Sequence, residues 1–379
     1  MHANSGPAEL PSPDPRALAS SRALLERIGA ELAGAGNWIS FARYMELVLY
    51  EPGLGYYASG ARKLGAGGDF VTAPELSPLF GRTLARQIAQ VLEPGEAILE
   101  FGAGSGALAE VLTSEIPGLN YQILETSPEL RQRQEQKLGP RVQWLDRLPG
   151  RFRGVMLANE VVDAMPVHAI AWTAKGTMER GVCANEGQLA WSDRPAHESI
   201  LGEAKDLQIE IPPSGRYESE LALAARGWMR SLGTILERGA ILVIDYGFPA
   251  HEYFHAQRSM GTLACHYRHR VHDDPFYLPG LQDVTAHVDF SALAHAATDA
   301  GLDLLGFANQ AQFLINCGIT DLLAEENPAD PKRYLPAAAA AQKLLSPAEM
   351  GELFKVLAVG KGVKEFLMGF SRGDRSAAL

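Results

Sequence analysis

Cysteine is scarce in this sequence: Cys183, Cys265 and Cys317 lie far apart in 379 residues and form no Cys-x-x-Cys pair. That spacing argues against a zinc-ribbon site and a disulfide framework, and it fits a reducing compartment. Long apolar runs are absent too. No stretch approaches the ~18 residues a spanning helix needs, so membrane insertion is not expected. Positive charge is in deficit, with 34 Lys and Arg against 45 Asp and Glu, a net charge of −11. Such a chain is poorly matched to phosphate backbones, which makes nucleic acid an unexpected partner and a basic protein segment a better one. Residues 1–15 lack the apolar centre of a secretory signal. Pro7, Pro11, Pro13 and Pro15 among small and polar residues mark a disordered lead-in, and Glu9 and Asp14 do not suit an organellar transit peptide. These absences point to a cytoplasmic protein.

What is present is the composition of an ordinary globular protein, 46% hydrophobic and 21% charged, long enough for two domains or one large domain with insertions. The most informative stretch runs from Ala97 through Glu100 and Phe101 to Gly102-Ala103-Gly104-Ser105-Gly106. It reads as an apolar strand, a carboxylate near its end, and a glycine turn opening a helix with Leu108, Val111 and Leu112 on one face. Glycines allow close approach of backbone to ligand, and a helix start offers free N–H groups. Gly102, Gly104 and Ala107 formally satisfy the dinucleotide fingerprint. Glu100 opposes that reading, because a pyrophosphate gains nothing from a nearby negative charge. A ligand carrying an ammonium and a sulfonium does gain, which favours S-adenosylmethionine over a nicotinamide cofactor. The next strand ends in Glu125, at the ~20-residue spacing of a ribose-binding acid.

Elsewhere the chain alternates. Helices are expected over 16–33 and 41–49, and from Leu79 to Leu92. Between them, the glycine-rich, aromatic stretch from Gly53 to Glu75, with Arg62 and Lys63, reads as a loop or as a lid over the cofactor. Strands at 97–101, 120–125, 142–145 and 154–158 alternate with helices at 106–115 and 128–138, which implies an α/β fold with a mostly parallel sheet and helices on both faces. Short β runs over 167–216 read as a β-rich insertion on the substrate side. A helix over 217–237 then leads into the strand at 240–247, followed by an irregular stretch (248–288), a helix (289–300) and strands near 302–307 and 354–359. The domain reading is therefore a lead-in at 1–15, an N-terminal helical and lid region at 16–94, a core at 95–166 and 217–370, and the insertion.

In an open parallel sheet, ligands sit beyond the carboxyl ends of the strands. That rule selects Glu100, Glu125, Asp146, the cluster Asn159-Glu160-Val161-Val162-Asp163, and Asp245-Tyr246. Glu160 and Asp163 share a face if a helix starts there. His266, His269 and His272 with Asp273 and Asp274 imitate a metal set, but three-residue spacing on a strand alternates faces, so no metal is expected.

The sequence resembles the MidA-type S-adenosylmethionine-dependent methyltransferases, whose mitochondrial members are assembly factors for respiratory complex I. The matching stretches are Gly55-Tyr56-Tyr57, Gly68-Asp69-Phe70-Val71-Thr72-Ala73-Pro74-Glu75-Leu76-Ser77-Pro78-Leu79-Phe80-Gly81, Leu99 to Ala107, Asn159 to Val167, Ile244-Asp245-Tyr246-Gly247 and Asp283 to Phe290. The resemblance implies a class I methyltransferase (Rossmann-like) fold and, in the mitochondrial members, symmetric dimethylation of an arginine in a complex I subunit. Carried over by position, Glu100, Gly102 and Gly104 hold the methionine end and Glu125 the ribose. Thr72, Pro74, Glu75 and Ser77 line the junction between cofactor and substrate, with Asp146 and Asn159 added to the cofactor-facing set.

The expected activity is methyl transfer to an arginine of a protein partner, a respiratory-complex subunit among the candidates, with S-adenosyl-L-homocysteine as product. Carboxylates that grip a guanidinium can align its attacking nitrogen. Glu160 and Asp163 are placed in that clamp, and one of them, or Glu75, takes the proton. Two alternatives remain open: a small-molecule methyltransferase with its acceptor pocket built by the insertion, or an assembly factor that binds cofactor with little catalysis.

Overall fold

The computed structural model describes residues 10–59, 72–205 and 207–379. Among them, the central sheet contains β1 (Ala97–Phe101), β2 (Asn120–Leu124), β3 (Val142–Leu145), β4 (Phe152–Asn159), β5 (Leu236–Phe248), β6 (Asp303–Asn309) and β7 (Phe354–Lys361). Their spatial order is β6-β7-β5-β4-β1-β2-β3. The pairings of β1 to β5 are parallel, and only β7 runs antiparallel to its neighbours β5 and β6. The short segment Val288–Asp289 pairs beside the end of β5.

Every residue of β1 is buried, which requires cover on both faces. Ile98 faces one core with Leu84, Ile88, Leu108 and Leu112 from the helices Pro78–Val91 and Ala107–Glu115. Leu99 faces the other, with Met229, Leu232, Phe290 and Leu293 from the helices Leu223–Ile235 and Phe290–Asp299. Strand order reverses between β1 and β4, because β1 pairs with β2 on one side and β4 on the other. A crevice opens at such a reversal.

A second, antiparallel sheet combines Ile39–Ser40, His168–Thr173, Gly176–Asn185, Gln188–Pro195 and Arg216–Leu221. The expected helix over 217–237 is corrected here. Residues 216–221 pair with His168–Thr173, and the helix starts only at Leu223. Tyr217, Ser219 and Leu221 alternate inward, so strand pairing overrides the helix-forming Glu and Leu content. The N-terminal helices Pro15–Gly34 and Phe41–Tyr50, capped by Asp14 and Ser40, pack Leu24, Ile28, Phe41 and Met45 with Ala169 and Val182 of this sheet. The N-terminal region and the insertion therefore share one core. The histidine-rich stretch folds as a hairpin, Ala264–Tyr267 against Arg270–His272, beside Asp283–Thr285.

Candidate active site

Beyond β1 the backbone turns through Gly102, Gly104 and Gly106, at φ of 58°, 54° and 71°. Side chains rarely adopt this region, and there is little space for one: a Cβ on Gly106 would approach Leu138 to 3.2 Å. Gly106 caps the helix Ala107–Glu115 without a side-chain bond, so the first N–H groups of that helix keep no side-chain acceptor. This turn forms one wall of a 340 Å³ cavity that Glu100, Glu125, Thr72, Pro74, Asn159 and Glu160 also line.

Glu100 is 3% exposed and accepts a 2.7 Å bond from the Tyr121 hydroxyl. Burial pushes its carboxyl up to about 7, with the Tyr121 bond pulling the other way. Among the described residues it has no Lys or Arg partner, so a cationic ligand would supply the missing counter-charge. Glu125 is held differently. Its Oε1 accepts from the Ser127 N–H at 2.9 Å and its Oε2 from the Gln134 amide at 3.0 Å. The same amide donates to the Gly104 carbonyl at 2.9 Å, while Trp144 of β3 donates to Gln134 Oε1 at 3.1 Å. One glutamine thus ties the β2 carboxylate to the glycine turn. Burial raises Glu125 as well.

Glu160 follows β4 in the left-handed region, at φ 54°. Its Oε1 accepts from the Ala73 N–H and the Asn159 amide, each at 3.2 Å, while Oε2 has no hydrogen bond among the described residues. Burial, then Asp163, push its carboxyl up to about 8. Residues 160–166 form a turn and not a helix, so Glu160 and Asp163 do not share a helical face as expected. Asp163 lies outside the cavity lining and bonds the Tyr246 hydroxyl. Burial raises Asp163 too. The buried Asp245 carboxylate supports the turn from β5.

The expected site residues thus separate. Glu100, Gly102, Gly104, Glu125, Thr72, Pro74, Asn159 and Glu160 meet at the cavity. Asp146 does not. Its exposed side chain pairs with Arg131 at 2.5 Å, because the chain leaves β3 pointing to solvent. Ser77 caps the helix Pro78–Val91, its Oγ accepting from Leu79 N–H at 3.2 Å. Glu75 is outside the lining, with Oε2 buried and without a hydrogen-bond partner among the described residues. Of the lid stretch, residues 60–71 lie outside the described residues. No described residue of 167–216 lines the cavity. Sequence reasoning missed Tyr50, Tyr57 and Trp228, which do line it. Only Gly55-Tyr56-Tyr57 gave a signal, and it carried no assigned role.

A pyrophosphate here would set negative charge against Glu100, whereas an ammonium and a sulfonium would balance it. The donor set fits, and the fold and site are those of a class I S-adenosylmethionine-dependent methyltransferase. Comparison with known proteins agrees. Residues 79–308 match the family described as "Putative S-adenosyl-L-methionine-dependent methyltransferase". A Burkholderia thailandensis protein crystallised with S-adenosyl-homocysteine is 51% identical, with a TM-score of 0.94 over 98% of this chain and 100% of that one. The mitochondrial protein arginine methyltransferase NDUFAF7 of Danio rerio is 30% identical over 89% of this chain and 87% of its own length. The Drosophila melanogaster homolog is 28% identical over 94% and 89%. The chain belongs to this methyltransferase family, the one resembled by its motifs. The expected cytoplasmic location is overturned by these curated relatives, which are named as mitochondrial proteins.

Proposed function

We propose that the protein methylates an arginine side chain of a protein partner. The observation that carries this reading is Glu160, which lines the cavity and whose Oε2 has no hydrogen bond among the described residues. The names of the curated relatives, protein arginine methyltransferases, support it, as does a net charge of −11, which favours a basic partner segment. The family resemblance favours a respiratory-complex subunit as the partner.

In this reading Glu100, Gly102 and Gly104 hold the methionine end of the cofactor, Glu125 the ribose, and Thr72, Pro74 and Asn159 the junction with the acceptor. Bound there, S-adenosylmethionine supplies an electrophilic methyl on a cationic sulfur. The protein's share is to orient and to accept a proton. A guanidinium nitrogen is a poor nucleophile because its lone pair is delocalised. A bond from one guanidinium N–H to Glu160 Oε2 aligns it and localises density on the attacking nitrogen. The nitrogen that gains the methyl must shed a proton to the Glu160 carboxylate; with its carboxyl pushed up to about 8, Glu160 must first give its own proton to solvent, a loss that the guanidinium's charge beside it favours. Asp163 acts from behind, through Tyr246 and the turn it belongs to. Glu75, half-buried two residues after Ala73, adds repulsion that raises Glu160 further.

The test uses protein extract from cells lacking the gene, incubated with the purified protein and isotopically labelled S-adenosylmethionine. Labelled methylarginine in acid hydrolysates supports the proposal. Label confined to small molecules would move the function to metabolite methylation.

A further inference from the structure

Two tyrosines on the cavity wall have no part in the scheme above. Tyr50 closes the helix Phe41–Tyr50, and the chain then folds back on itself through Gly55. The fold-back needs glycine, because a Cβ there would lie 2.6 Å from the Glu51 nitrogen and 2.7 Å from the Leu49 carbonyl carbon. The returning N–H groups of Tyr56 and Tyr57 bond the carbonyls of Val48 and Leu49, both at 2.8 Å. As a result the Tyr57 ring lies against the Tyr50 ring, with centroids 5.7 Å apart and planes 22° from parallel.

Both hydroxyls are committed elsewhere. Tyr50 donates to the Ala164 carbonyl at 2.9 Å, and Tyr57 donates to Asp283 Oδ2 at 2.8 Å. These bonds anchor the rings to the turn after Glu160 and to the strand Asp283–Thr285, so the rings meet the cavity as fixed aromatic surface and not as hydrogen-bond donors. Around them are carboxylates. Asp283 and Asp163 act electrostatically on both tyrosines, and Glu160 lines the same cavity. Aromatic surface bordered by carboxylates attracts a cation. A planar one can both stack on the rings and present N–H groups at its edge, which a tetrahedral ammonium cannot.

We propose that the Tyr50–Tyr57 pair is the acceptor wall of the cavity, against which a guanidinium lies flat while its edge reaches Glu160, and that Tyr57 thereby selects arginine over lysine. This rests on the arginine reading given above and adds the residues that enforce it.

The test loads the protein with S-adenosyl-homocysteine and titrates it with two probes, Nα-acetyl-arginine methylamide and Nα-acetyl-lysine methylamide, followed by NMR line shifts. The parent is expected to bind the arginine probe at least about fivefold more tightly, because both cations are attracted to the rings but only the planar guanidinium stacks on them while its edge bonds Glu160. Tyr57→Leu should lose that preference while affinity for S-adenosyl-homocysteine stays within about twofold, and Tyr57→Phe, which keeps the ring, should retain it. If Tyr57→Leu does not fold, Tyr50→Leu carries the same test. An unchanged preference in the leucine variant overturns the wall alone and leaves arginine methylation standing. A loss of S-adenosyl-homocysteine affinity instead would assign the rings to the cofactor and also overturn it. No arginine preference in the parent would overturn both the wall and the arginine reading beneath it.

Discussion

Asp245 holds Val162. The Val162 N–H donates to Asp245 Oδ2 at 2.9 Å, and the flanking N–H groups of Val161 and Asp163 reach the same oxygen at 3.2 Å. Three successive amides on one fully buried carboxylate oxygen make β5 the support of the turn after β4. That turn begins with Glu160 in a backbone conformation unusual for a non-glycine residue, a cost of order 1–3 kcal/mol that surrounding contacts must offset. Burial, then Asp163 and Glu160, push Asp245 upward, while its backbone bonds pull it down.

Asp245→Asn should therefore act on catalysis through position. The Tyr246 N–H now donates to Asp245 Oδ1 at 2.9 Å, and the new amide would put a donor opposite one of these N–H groups. The expected loss is about 1–3 kcal/mol of stability, read by denaturant unfolding. Methyl transfer should fall at least about tenfold, with cofactor affinity within about threefold.

Cofactor binding should depend on pH through Glu100. In its proposed cofactor role its carboxyl, pushed up to about 7 by burial, must lose a proton to face a cation. Affinity for S-adenosyl-homocysteine, which keeps the ammonium, should fall about tenfold from pH 8 to pH 6. Calorimetry should show a flat, weaker profile for Glu100→Gln and a retained slope for Glu160→Gln.

Stability of the unloaded protein should run the opposite way. Glu100 and Glu160 titrate near 7 and 8 when folded, above the 4.5 of an unperturbed Glu. Between these limits the folded state binds more protons than the unfolded one, so its stability falls as pH rises from 4.5 towards 8. Glu160→Gln keeps an oxygen for the Ala73 N–H and removes the buried charge. It should exceed the parent by roughly 1–2 kcal/mol at pH 8, with the gap closing towards pH 5. Thermal melts across that range check it.

Asp146 and Gln134 separate two readings of the ribose side. Asp146→Ala should leave cofactor affinity within about twofold, since that side chain faces Arg131 and solvent. Gln134→Ala should weaken it about fivefold or more, because it frees both Glu125 and the Gly104 carbonyl. Calorimetry on the two variants decides between them.

The central sheet was legible because its strands are buried on both faces and read as continuous apolar runs, and Glu100, Glu125 and Glu160 were legible as acids at strand ends. The rest depended on long-range pairing. Ile39–Ser40 is too short for any periodicity, yet it joins the N-terminal region to the insertion by pairing with Gly181 and Val182. Arg216–Leu221 has helix-forming residues and becomes a strand through its partner. Nor can spacing reveal the direction of a side chain after a strand ends, which is why Asp146 and Asp163 were grouped with residues that reach the cavity. Tyr50 and Tyr57 meet only because Gly55 permits the chain to double back.

The most direct measurement is single-turnover methyl transfer by Glu160→Gln beside the parent, with protein extract as acceptor and methylarginine as the readout. A general-base role for Glu160 predicts unchanged S-adenosyl-homocysteine affinity and transfer reduced by about a hundredfold or more. Full transfer by this variant at parental cofactor affinity would contradict it.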